Sequence, residues 1–460
     1  MATLEDVLAT IDANQGEALD RLFALLAIPS VSAVPAQFAD CARAADWLKR
    51  ELGDLGFEAA RHDTAGRPMV VGTAKAKTRD APSVLFYGHY DVQPPDPLAL
   101  WTTPPFEPRL ADGPRGQQIV ARGACDDKGQ LMTFLEACRA FRAHGGLPCN
   151  VIVLLEGEEE TGSVSLPAFL AANAKALKAD LALVCDTEMW DAETPAITTM
   201  LRGLAFEEVT IHAANRDLHS GLYGGAAINP IHVLSRVLAD LHDSNGAVAL
   251  PGFYDGVEEL PQEVAEQWRA LDFDEEKFLG EVGLSVPAGE KGRTTLEMIW
   301  SRPTCDVNGI YGGYAGDGAK TVLPAQATAK VSFRLVGKQN PERVAQSFRV
   351  FVKARLPADV SAEFVSYSAN PAIALSTRSE AVRRAGRALE AEWGRPATLI
   401  GSGGSIPVVG AFKRELGMDS LLVGFGLPDD AIHSPNEKYE RSSFHRGARS
   451  WARILAALAT

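Results

Sequence analysis

The sequence has 460 residues, of which 46% are hydrophobic and 23% are charged, and its formal net charge at pH 7 is −14. A chain of this length is expected to form two domains and to bury a large core. The acidic balance argues against sequence-independent binding of DNA or RNA, because such binding needs clustered cations that displace counterions from phosphates. We therefore expect no nucleic-acid partner.

The cysteines and the N-terminus indicate a protein of a reducing compartment. The six cysteines form no CxxC pair and are too sparse for a disulfide framework, so free buried thiols are expected. Residues 1–10 lack a basic segment followed by an apolar one, so no signal peptide is predicted. No apolar run is long enough to span a membrane. These observations predict a cytoplasmic protein without a membrane partner.

The N-terminal region predicts a helix. It begins near Thr3, where Thr3 and Asp6 form a capping-box pattern. The helical spacing of apolar residues continues over 19–26, and Pro29 ends it.

Four short apolar runs predict strands that are covered on both faces of a parallel sheet. A helical pattern over Leu131–Phe141 lies between the first two runs, and this alternation predicts an α/β domain. The four runs are Val84–Tyr87, Val151–Leu155, Leu181–Val184 and Leu421–Val423.

Between about Leu201 and Ser376 the pattern changes to alternating strands and amphipathic helices, which is typical of a smaller α+β domain. Strands are predicted over 206–213, 325–336 and 360–366, and helices over 228–241 and 341–356. Residues 245–319, rich in Gly, Pro and acidic residues, give no assignment. The predicted organisation is a discontinuous catalytic domain of residues 1–200 and 377–460, with an inserted domain of residues 201–376.

Ligand-type side chains follow each of the four predicted strands. His89 and Asp91 follow the first, the run Glu158–Glu160 follows the second, Asp186 follows the third, and His433 comes after the fourth. The carboxyl ends of parallel strands form the ligand crevice of an open α/β sheet. The sequence therefore predicts that these side chains meet in one cleft.

The residue types in this set favour a pair of divalent ions. Two such ions need a bridging carboxylate, further His and carboxylate ligands, and a general base. Taken singly, the histidines could be loop residues, Asp126 an N-cap and Asp186 a turn residue. Three adjacent carboxylates at a strand end repel each other unless cations offset their charge. The candidate set is His89, Asp126, Glu159, Glu160, Asp186 and His433.

Two other kinds of catalytic site are not supported. The glycine-rich segment Gly401–Ser405 lacks the Gly-Lys-Ser/Thr end of a phosphate-binding P-loop. The sequence has no GxSxG elbow and no cysteine in a recognisable nucleophile context.

Four motifs, in this order, resemble those of the M20 metallopeptidases, and most closely the carnosinase and cytosolic nonspecific dipeptidase branch. They are GHYDVQP at 88–94, RGACDDKG at 122–129, EGEEETGS at 156–163 and HSPNE at 433–437. The resemblance extends over essentially the whole chain. It implies an α/β metallopeptidase domain with a mostly parallel sheet flanked by helices, plus an inserted α+β lid that also forms the contact of a homodimer.

The resemblance also implies a role for each candidate ligand: Asp126 bridges two metal ions, His89 and Asp186 complete one site, and Glu160 and His433 complete the other. The ions would be two per subunit, zinc or alternatively manganese, since both accept imidazole and carboxylate ligands.

The resemblance also implies roles for residues that are neighbours of these ligands in the sequence. Glu159 would be the general base and Asp91 would orient His89. The peptide bond between Asp126 and Asp127 would be cis. The middle acid, Glu158, stands where relatives often carry an apolar residue such as Met, and it would add negative charge near the ions unless its side chain points away.

In the inserted domain the resemblance points to His219, in the segment DLHSG at 217–221. This side chain would reach the active site of the partner subunit and stabilise the oxyanion of the tetrahedral intermediate. Without the resemblance, an exposed turn histidine is the simpler interpretation.

Four further residues are implied to bind the substrate. Thr321 and Arg334 would hold it in the lid, and a guanidinium suits a carboxylate in a bidentate contact. Gly404 and Ser405 would receive the C-terminal carboxylate through main-chain N–H groups. The alternative for this segment is a plain glycine-rich turn before a helix.

The expected function is hydrolysis of dipeptides or similar small peptide amides by a di-metal M20-type dipeptidase. Two alternatives stay open at this point. One is an N-acyl-amino-acid deacylase or desuccinylase of the same fold, and the other is a metal-free binding protein on this fold.

Overall fold

A computed structural model describes residues 3–280, 282–404 and 406–460. The chain forms two compact units. The first comprises Met1–Thr199, Leu375–Ile400 and Pro407–Thr460, and the second comprises Met200–Ala374 and Gly401–Ile406. Residues 401–404 and 406 thus group with the second unit, although their place in the sequence assigned them to the predicted catalytic domain. The main-chain N–H of Arg202 donates to the carbonyl of Ser402 at 3.3 Å, which ties this segment to the second unit.

Within the described residues the α-helices are α1 (Leu4–Ala13), α2 (Gln15–Leu26), α3 (Phe38–Asp54), α4 (Lys128–Ala143), α5 (Leu166–Leu177), α6 (Ser220–Tyr223), α7 (Pro230–Ala239), α8 (Gln262–Arg269), α9 (Glu275–Gly280), α10 (Thr295–Trp300), α11 (Pro341–Lys353), α12 (Glu380–Trp393), α13 (Pro407–Ala411) and α14 (Arg441–Leu458). Short 3-10 helices cover Pro35–Gln37, Leu98–Leu100 and Glu159–Thr161, and a π-helix covers Phe412–Leu416.

The strands are β1 (Glu58–His62), β2 (Met69–Ala74), β3 (Ser83–His89), β4 (Arg109–Gly113), β5 (Gly116–Val120), β6 (Asn150–Glu156), β7 (Leu181–Val184), β8 (Ala196–Leu201), β9 (Gly203–His212), β10 (Leu218–His219), β11 (Thr304–Gly312), β12 (Val322–Leu323), β13 (Gln326–Leu335), β14 (Ser361–Asn370), β15 (Ile373–Ala374), β16 (Thr398–Ser402), β17 (Ser420–Leu422) and β18 (Lys438–Glu440).

The start of α1 is confirmed, but the predicted single N-terminal helix is two helices. Thr3 is the N-cap, and its side chain and that of Asp6 form the reciprocal hydrogen bonds of a capping box. Asn14, with φ −101° and ψ 18°, leaves helical geometry and separates α1 from α2. Periodicity alone missed this break because the apolar residues on both sides of it face the same core.

The central sheet follows the order β1-β2-β6-β3-β7-β17-β8-β15, and β16 also pairs with β8. The four strands predicted from apolar runs are its central neighbours β6, β3, β7 and β17, and all three pairs among them are parallel. The predicted α/β class with a mostly parallel central sheet is confirmed. Because these four strands run in the same direction, their carboxyl ends lie along one edge of the sheet.

Aromatic side chains fill the core beneath these strands. The rings of Phe86 on β3 and Phe134 on α4 stack with centroids 3.9 Å apart, and Trp451 on α14 meets both edge-on. The helix predicted at Leu131–Phe141 is confirmed within α4, whose apolar residues are almost all buried. This packing fixes the start of α4, just after Asp126, against the end of β3.

A small antiparallel sheet of β18, β5 and β4 was not predicted from the sequence. Its strands are short, and they gave no clear alternation of apolar and polar residues. Lys438 pairs with Val120 in this sheet, which brings the segment after His433 beside the segment before Asp126.

The second unit has a four-stranded antiparallel sheet in the order β11-β13-β9-β14. Helices α7 and α11 contribute to the hydrophobic core on one face of it. The three strands and two helices predicted in this region are confirmed as β9, β13, β14, α7 and α11. The unassigned residues 245–319 contain α8, α9, α10 and β11.

The six cysteines are free and buried, as predicted. None of the described helices is long and apolar enough to cross a bilayer.

Candidate metal centre

The ends of neighbouring strands bring His89, Asp126 and Asp186 together. His89 is the last residue of β3, and Asp186 comes two residues after the end of the adjacent strand β7. The Nε2 atom of His89 lies 3.0 Å from Oδ1 of Asp126 and 3.9 Å from Oδ2 of Asp186. One imidazole nitrogen therefore faces two carboxylates.

A second group shares the same aspartate. The Nε2 atom of His433 lies 2.9 Å from Oδ2 of Asp126 and 3.2 Å from Oε2 of Glu160. Within each group the possible ligand atoms all lie within 4.8 Å of one another. Because its two oxygens face different histidines, Asp126 occupies the position that a bridging ligand requires.

The types of ligand atom, and one buried carboxylate oxygen without a hydrogen-bond partner among the described residues, fit a pair of divalent ions. Imidazole nitrogens with carboxylate oxygens are ligands that zinc and manganese accept. Gln93 donates from Nε2 to Oε2 of Glu160 at 2.7 Å, whereas Oε1 of Glu160 is buried without a hydrogen-bond partner among the described residues. A buried carboxylate oxygen without a partner is costly, and a cation ligated there would remove that cost.

The electrostatics of the two groups favour cations. Hydrogen bonds to Asp126 and Glu160 raise the pKa of His433 to about 10. Burial, and then the negative charge of Asp126, raise the pKa of Asp186 well above its usual value. Burial opposes ionisation of Asp126 as well, yet hydrogen bonds from His433 and His89 hold its pKa below the usual range. The carboxylates outnumber the imidazoles, so divalent ions would offset surplus buried negative charge.

Asp91 contacts both His89 and the main chain of the acid run. The Nδ1 atom of His89 lies 3.1 Å from the carbonyl oxygen of Asp91 and 3.5 Å from its Oδ1, so Nδ1–H points to Asp91 and Nε2 is free to face a metal. The buried Asp91 carboxylate also accepts hydrogen bonds from Ser32 Oγ and from the main-chain N–H groups of Glu159 and Glu160. One side chain therefore holds both a candidate ligand and the acid run.

Glu159 has the properties of a general base. It begins the 3-10 helix that starts three residues after the last residue of β6. Loss of solvent raises its pKa to about 7, with the negative charge of Glu160 adding to the rise and the nearby His89 opposing it. A carboxylate with a pKa near the working pH is suited to accept and return a proton.

Glu158 points away from the two groups. Its Oε1 accepts a hydrogen bond from the main-chain N–H of Arg67 at 2.9 Å, and its Oε2 accepts one from that of Ser165 at 3.1 Å. A Cβ on Gly66 would lie only 1.3 Å from Oε1 of Glu158, so a larger residue there would displace this carboxylate from its partners. The three-acid run thus divides into one structural residue and two residues at the candidate site.

The Asp126–Asp127 peptide bond is cis, as the resemblance implied. The Oδ2 atom of Asp127 accepts a hydrogen bond from the main-chain N–H of His89 at 3.0 Å, a contact that the sequence did not predict.

The second unit carries the remaining predicted side chains. Gly221 donates from its main-chain N–H to Nδ1 of His219 at 2.9 Å. A neutral His219 therefore carries its proton on Nε2, where it can donate a hydrogen bond. Ser220 donates to the carbonyl of Thr321 at 3.0 Å, which places Thr321 beside His219. Arg334 lies on β13, opposite Leu204 of β9.

In the glycine-rich segment, one of the two predicted main-chain donors has a partner within the segment. The main-chain N–H of Gly404 donates to Oγ of Ser402 at 3.2 Å, so this donor is already engaged inside the segment. The reason is local, since a serine hydroxyl readily accepts from the N–H two residues on. The other predicted residue, Ser405, lies outside the described residues.

Sequence reasoning missed two side chains that support the candidate ligands. Gln93 contacts Glu160, and the carboxylate of Glu437 accepts hydrogen bonds from the segment that carries Asp126. Gln93 lies in the motif at 88–94 and Glu437 in the motif at 433–437. A motif does not reveal which atoms its polar side chains will contact in the folded protein.

The family described as peptidase family M20/M25/M40 matches residues 85–457. This chain belongs to that family. The expectation of an M20 hydrolase is thereby confirmed.

Similar M20 proteins extend over almost the full chain. The Cys-Gly metallodipeptidase DUG1 of Candida albicans is 30% identical over 468 residues, covering 97% of this chain and 96% of that protein. The human Beta-Ala-His dipeptidase is 30% identical over 482 residues, covering 100% of this chain and 93% of that protein. The crystal structure of the M20 family metallo-carboxypeptidase Sso-CP2 from Sulfolobus solfataricus superposes with a TM-score of 0.84 at 30% identity, covering 96% and 99% of the two chains.

Proposed function

We propose that this M20 protein is a metal-dependent dipeptidase that binds two divalent ions. The ligands would be His89 and Asp186 for one ion, Glu160 and His433 for the other, and Asp126 for both. One observation carries the proposal: the two oxygens of Asp126 face Nε2 of His89 and Nε2 of His433 at 3.0 and 2.9 Å. The dipeptidase names of the full-length relatives support dipeptides as the substrate class.

The proposed reaction is hydrolysis of the amide bond between two amino acids. When bound, the two ions supply Lewis-acid activation of a water molecule and of the substrate carbonyl. Glu159 accepts a proton from the attacking water and later gives it to the leaving nitrogen. The water oxygen forms the new bond to the carbonyl carbon, the C–N bond breaks, and the products are an acid and an amine. We propose zinc as the ion, with manganese as the alternative.

The second unit would complete the reaction as a lid. Nε2–H of His219 would donate to the oxyanion that forms on the substrate carbonyl, in the active site of the partner subunit. The hydrogen bond from Gly221 supports this role, because it leaves the ring proton on Nε2. Arg334 would hold the substrate in the lid through a bidentate contact with a carboxylate. Substrate contacts of Thr321, Gly404 and Ser405 stay predictions.

A homodimer formed through the second unit would bring His219 to that site. Support comes from large apolar side chains on the two edge strands of the unit's sheet. Ile310 and Tyr311 on β11 and Val365 and Tyr367 on β14 are each about half exposed. Exposed apolar side chains and unpaired strand edges are features of association surfaces.

The six free thiols favour the reducing cytoplasm as the location.

A substrate panel tests the proposed activity. The purified protein would be stripped of metal, reloaded with Zn2+ or Mn2+, and given dipeptides, the same dipeptides with a C-terminal amide, tripeptides, and N-acyl amino acids. We expect cleavage of free dipeptides, loss of activity on chelation, and poor cleavage of the C-terminal amides, because the amides lack the carboxylate that the substrate site is predicted to bind. Cleavage of N-acyl amino acids alone would favour the deacylase, and activity that survives chelation would refute the metal-dependent mechanism.

A further inference from the structure

The carboxylate of Glu437 accepts four hydrogen bonds from one short segment. Its Oε2 accepts from Nη1 of Arg122 at 2.7 Å and from the main-chain N–H of Gly123 at 2.9 Å. Its Oε1 accepts from the main-chain N–H groups of Cys125 at 3.0 Å and Asp126 at 3.1 Å. Both oxygens are therefore used, and three of the four donors belong to the main chain that leads into Asp126.

Strand pairing explains why Glu437 reaches this segment. The register of β18 on β5 pairs Lys438 with Val120, and Ala121 continues the ladder by donating to the carbonyl of Glu437 at 3.2 Å. The chain beyond Ala121 then turns over the side chain of Glu437. Glu437 is fully buried and Arg122 is 1% exposed, so water cannot replace these hydrogen bonds.

Glu437 also ends the loop that carries His433. Three non-glycine residues of this loop have left-handed backbone conformations, with φ of 55° at Ala431, 62° at His433 and 63° at Asn436. Such conformations persist where surrounding contacts hold them. One such contact is the hydrogen bond from the main-chain N–H of Lys438 to the carbonyl of Asp430 at 2.9 Å, which closes the loop. Glu437 therefore links this strained loop directly to the Asp126 segment.

A buried ion pair that only stabilises the fold is the simpler interpretation, and the second unit contains one for comparison. Glu207 is fully buried and takes two hydrogen bonds from Arg349, at 2.7 and 3.0 Å. No main-chain N–H of a candidate ligand donates to it among the described residues. Glu437 differs because most of its donors are main-chain groups of a ligand segment.

We infer that Glu437 is a positioning residue of the metal centre. Its carboxylate fixes the main chain of Asp126 relative to the loop of His433, and so it sets the affinity of the protein for its two ions. The inference rests on the proposed function, because it takes Asp126 and His433 as metal ligands. Partners that orient metal ligands commonly change metal affinity by about 10- to 100-fold when they are mutated.

Metal titration of the full-length protein tests this inference without a peptide substrate. Metal-free wild type and Glu437→Gln would compete for Zn2+ with a chromophoric chelator, which gives the number of ions and their dissociation constants. The amide keeps the size of the side chain but turns an NH2 group toward N–H donors. We expect Glu437→Gln to fold and to bind at least one ion about 10- to 100-fold more weakly than the wild type.

Two further variants separate positioning from stability. Glu207→Gln removes a buried charge of the same kind, and we expect a loss of stability in urea with unchanged zinc affinities. Arg122→Lys keeps the positive charge beside Glu437 and leaves the three main-chain donors in place, so its zinc affinities should stay close to those of the wild type. An equal loss of affinity in Glu207→Gln or Arg122→Lys would contradict the inference.

A folded Glu437→Gln variant whose two affinities lie within about twofold of the wild type would also overturn it. If Glu437→Gln does not fold, Glu437→Asp takes its place under the same criteria, because its shorter carboxylate cannot reach all four donors. The titration distinguishes failure of the proposed metal centre from failure of the proposed role of Glu437. A wild-type chain that binds no pair of ions refutes the metal centre, whereas a wild type that binds two and a variant that matches it refute only the role of Glu437.

Discussion

His433 Nε2 lies 2.9 Å from Asp126 Oδ2, although 307 residues of chain separate the two. One residue belongs to the turn before α4 and the other to a loop after β17, so neither element alone contains a binding site. The contact depends on the main sheet and on the small sheet that pairs β18 with β5.

Asp126→Asn should remove bound metal. The neutral amide offers one uncharged oxygen where two charged oxygens face His89 and His433, so it cannot bridge two ions and binds either one more weakly. We expect two ions per chain in the wild type and fewer than one in the variant, measured by elemental analysis after dialysis. Asp180→Asn is the control, since the Asp180 carboxylate accepts hydrogen bonds from Ser83, away from the candidate ligands, and its loss should leave the metal content unchanged. Two ions retained in Asp126→Asn would count against the bridging role.

Glu159→Gln should keep its metal and lose turnover. A glutamine cannot take a proton from water, and loss of a general base typically lowers the rate by about 10²- to 10⁴-fold. The measurement pairs metal content with kcat on a cleaved dipeptide. Turnover near the wild-type value, with both ions present, would show that another group is the base.

Glu158→Gln should affect stability far more than turnover. Its carboxylate accepts hydrogen bonds from the main-chain N–H groups of Arg67 and Ser165 and points away from the candidate ligands. We expect a loss of about 1–3 kcal/mol in the free energy of unfolding, measured in urea, with kcat largely retained. A variant as inactive as Glu159→Gln would place Glu158 in the reaction after all.

Gly66→Ala should destabilise the protein through the same contact. The new Cβ would lie 1.3 Å from Oε1 of Glu158, so one of the two side chains must move. The clash disappears when Glu158 is shortened, and we therefore expect Gly66→Ala to cost less in a Glu158→Ala background than in the wild type. A double-mutant cycle in urea measures this coupling, and simple additivity of the two changes would contradict it.

His219→Ala should lose activity that a second inactive chain restores. In a mixed dimer with Glu159→Gln, the site with an intact Glu159 receives an intact His219 from its partner. An equal mixture that exchanges subunits freely forms half mixed dimers, each with one working site, so about a quarter of wild-type activity should return. Activity that stays absent after verified subunit exchange would exclude the contribution from the partner.

The cysteines of the native protein should resist alkylation at pH 8. Burial raises the pKa of Cys41, Cys149 and Cys305 to about 12 each, so these thiols stay protonated at pH 8, and the reactive thiolate is scarce. Mass spectrometry after iodoacetamide should find little labelling in buffer and full labelling in denaturant. Rapid labelling of the native chain at these three residues would contradict the predicted burial.

Much of the first unit could be predicted from the sequence because its signals are local. A continuous apolar run is the consequence of a strand buried on both faces, and all four predicted runs became neighbouring parallel strands. The ligand-type residues follow those strands in the chain, and parallel strands end at a common edge. The break at Asn14 and the short strands β4, β5 and β18 left no comparable pattern, so they were missed.

The sequence by itself determined the family, the α/β class and the ligand types at the strand ends, since strand composition and motif order are written along the chain. The tertiary structure alone decided which way each polar side chain points. It turned Glu158 toward Arg67 and Ser165, engaged Gly404 with Ser402, and set Glu437 beneath Asp126. The physical reason is that proximity in space and burial determine which groups form hydrogen bonds. Neighbours in the sequence can differ in both, so the sequence does not show which partner a side chain will meet.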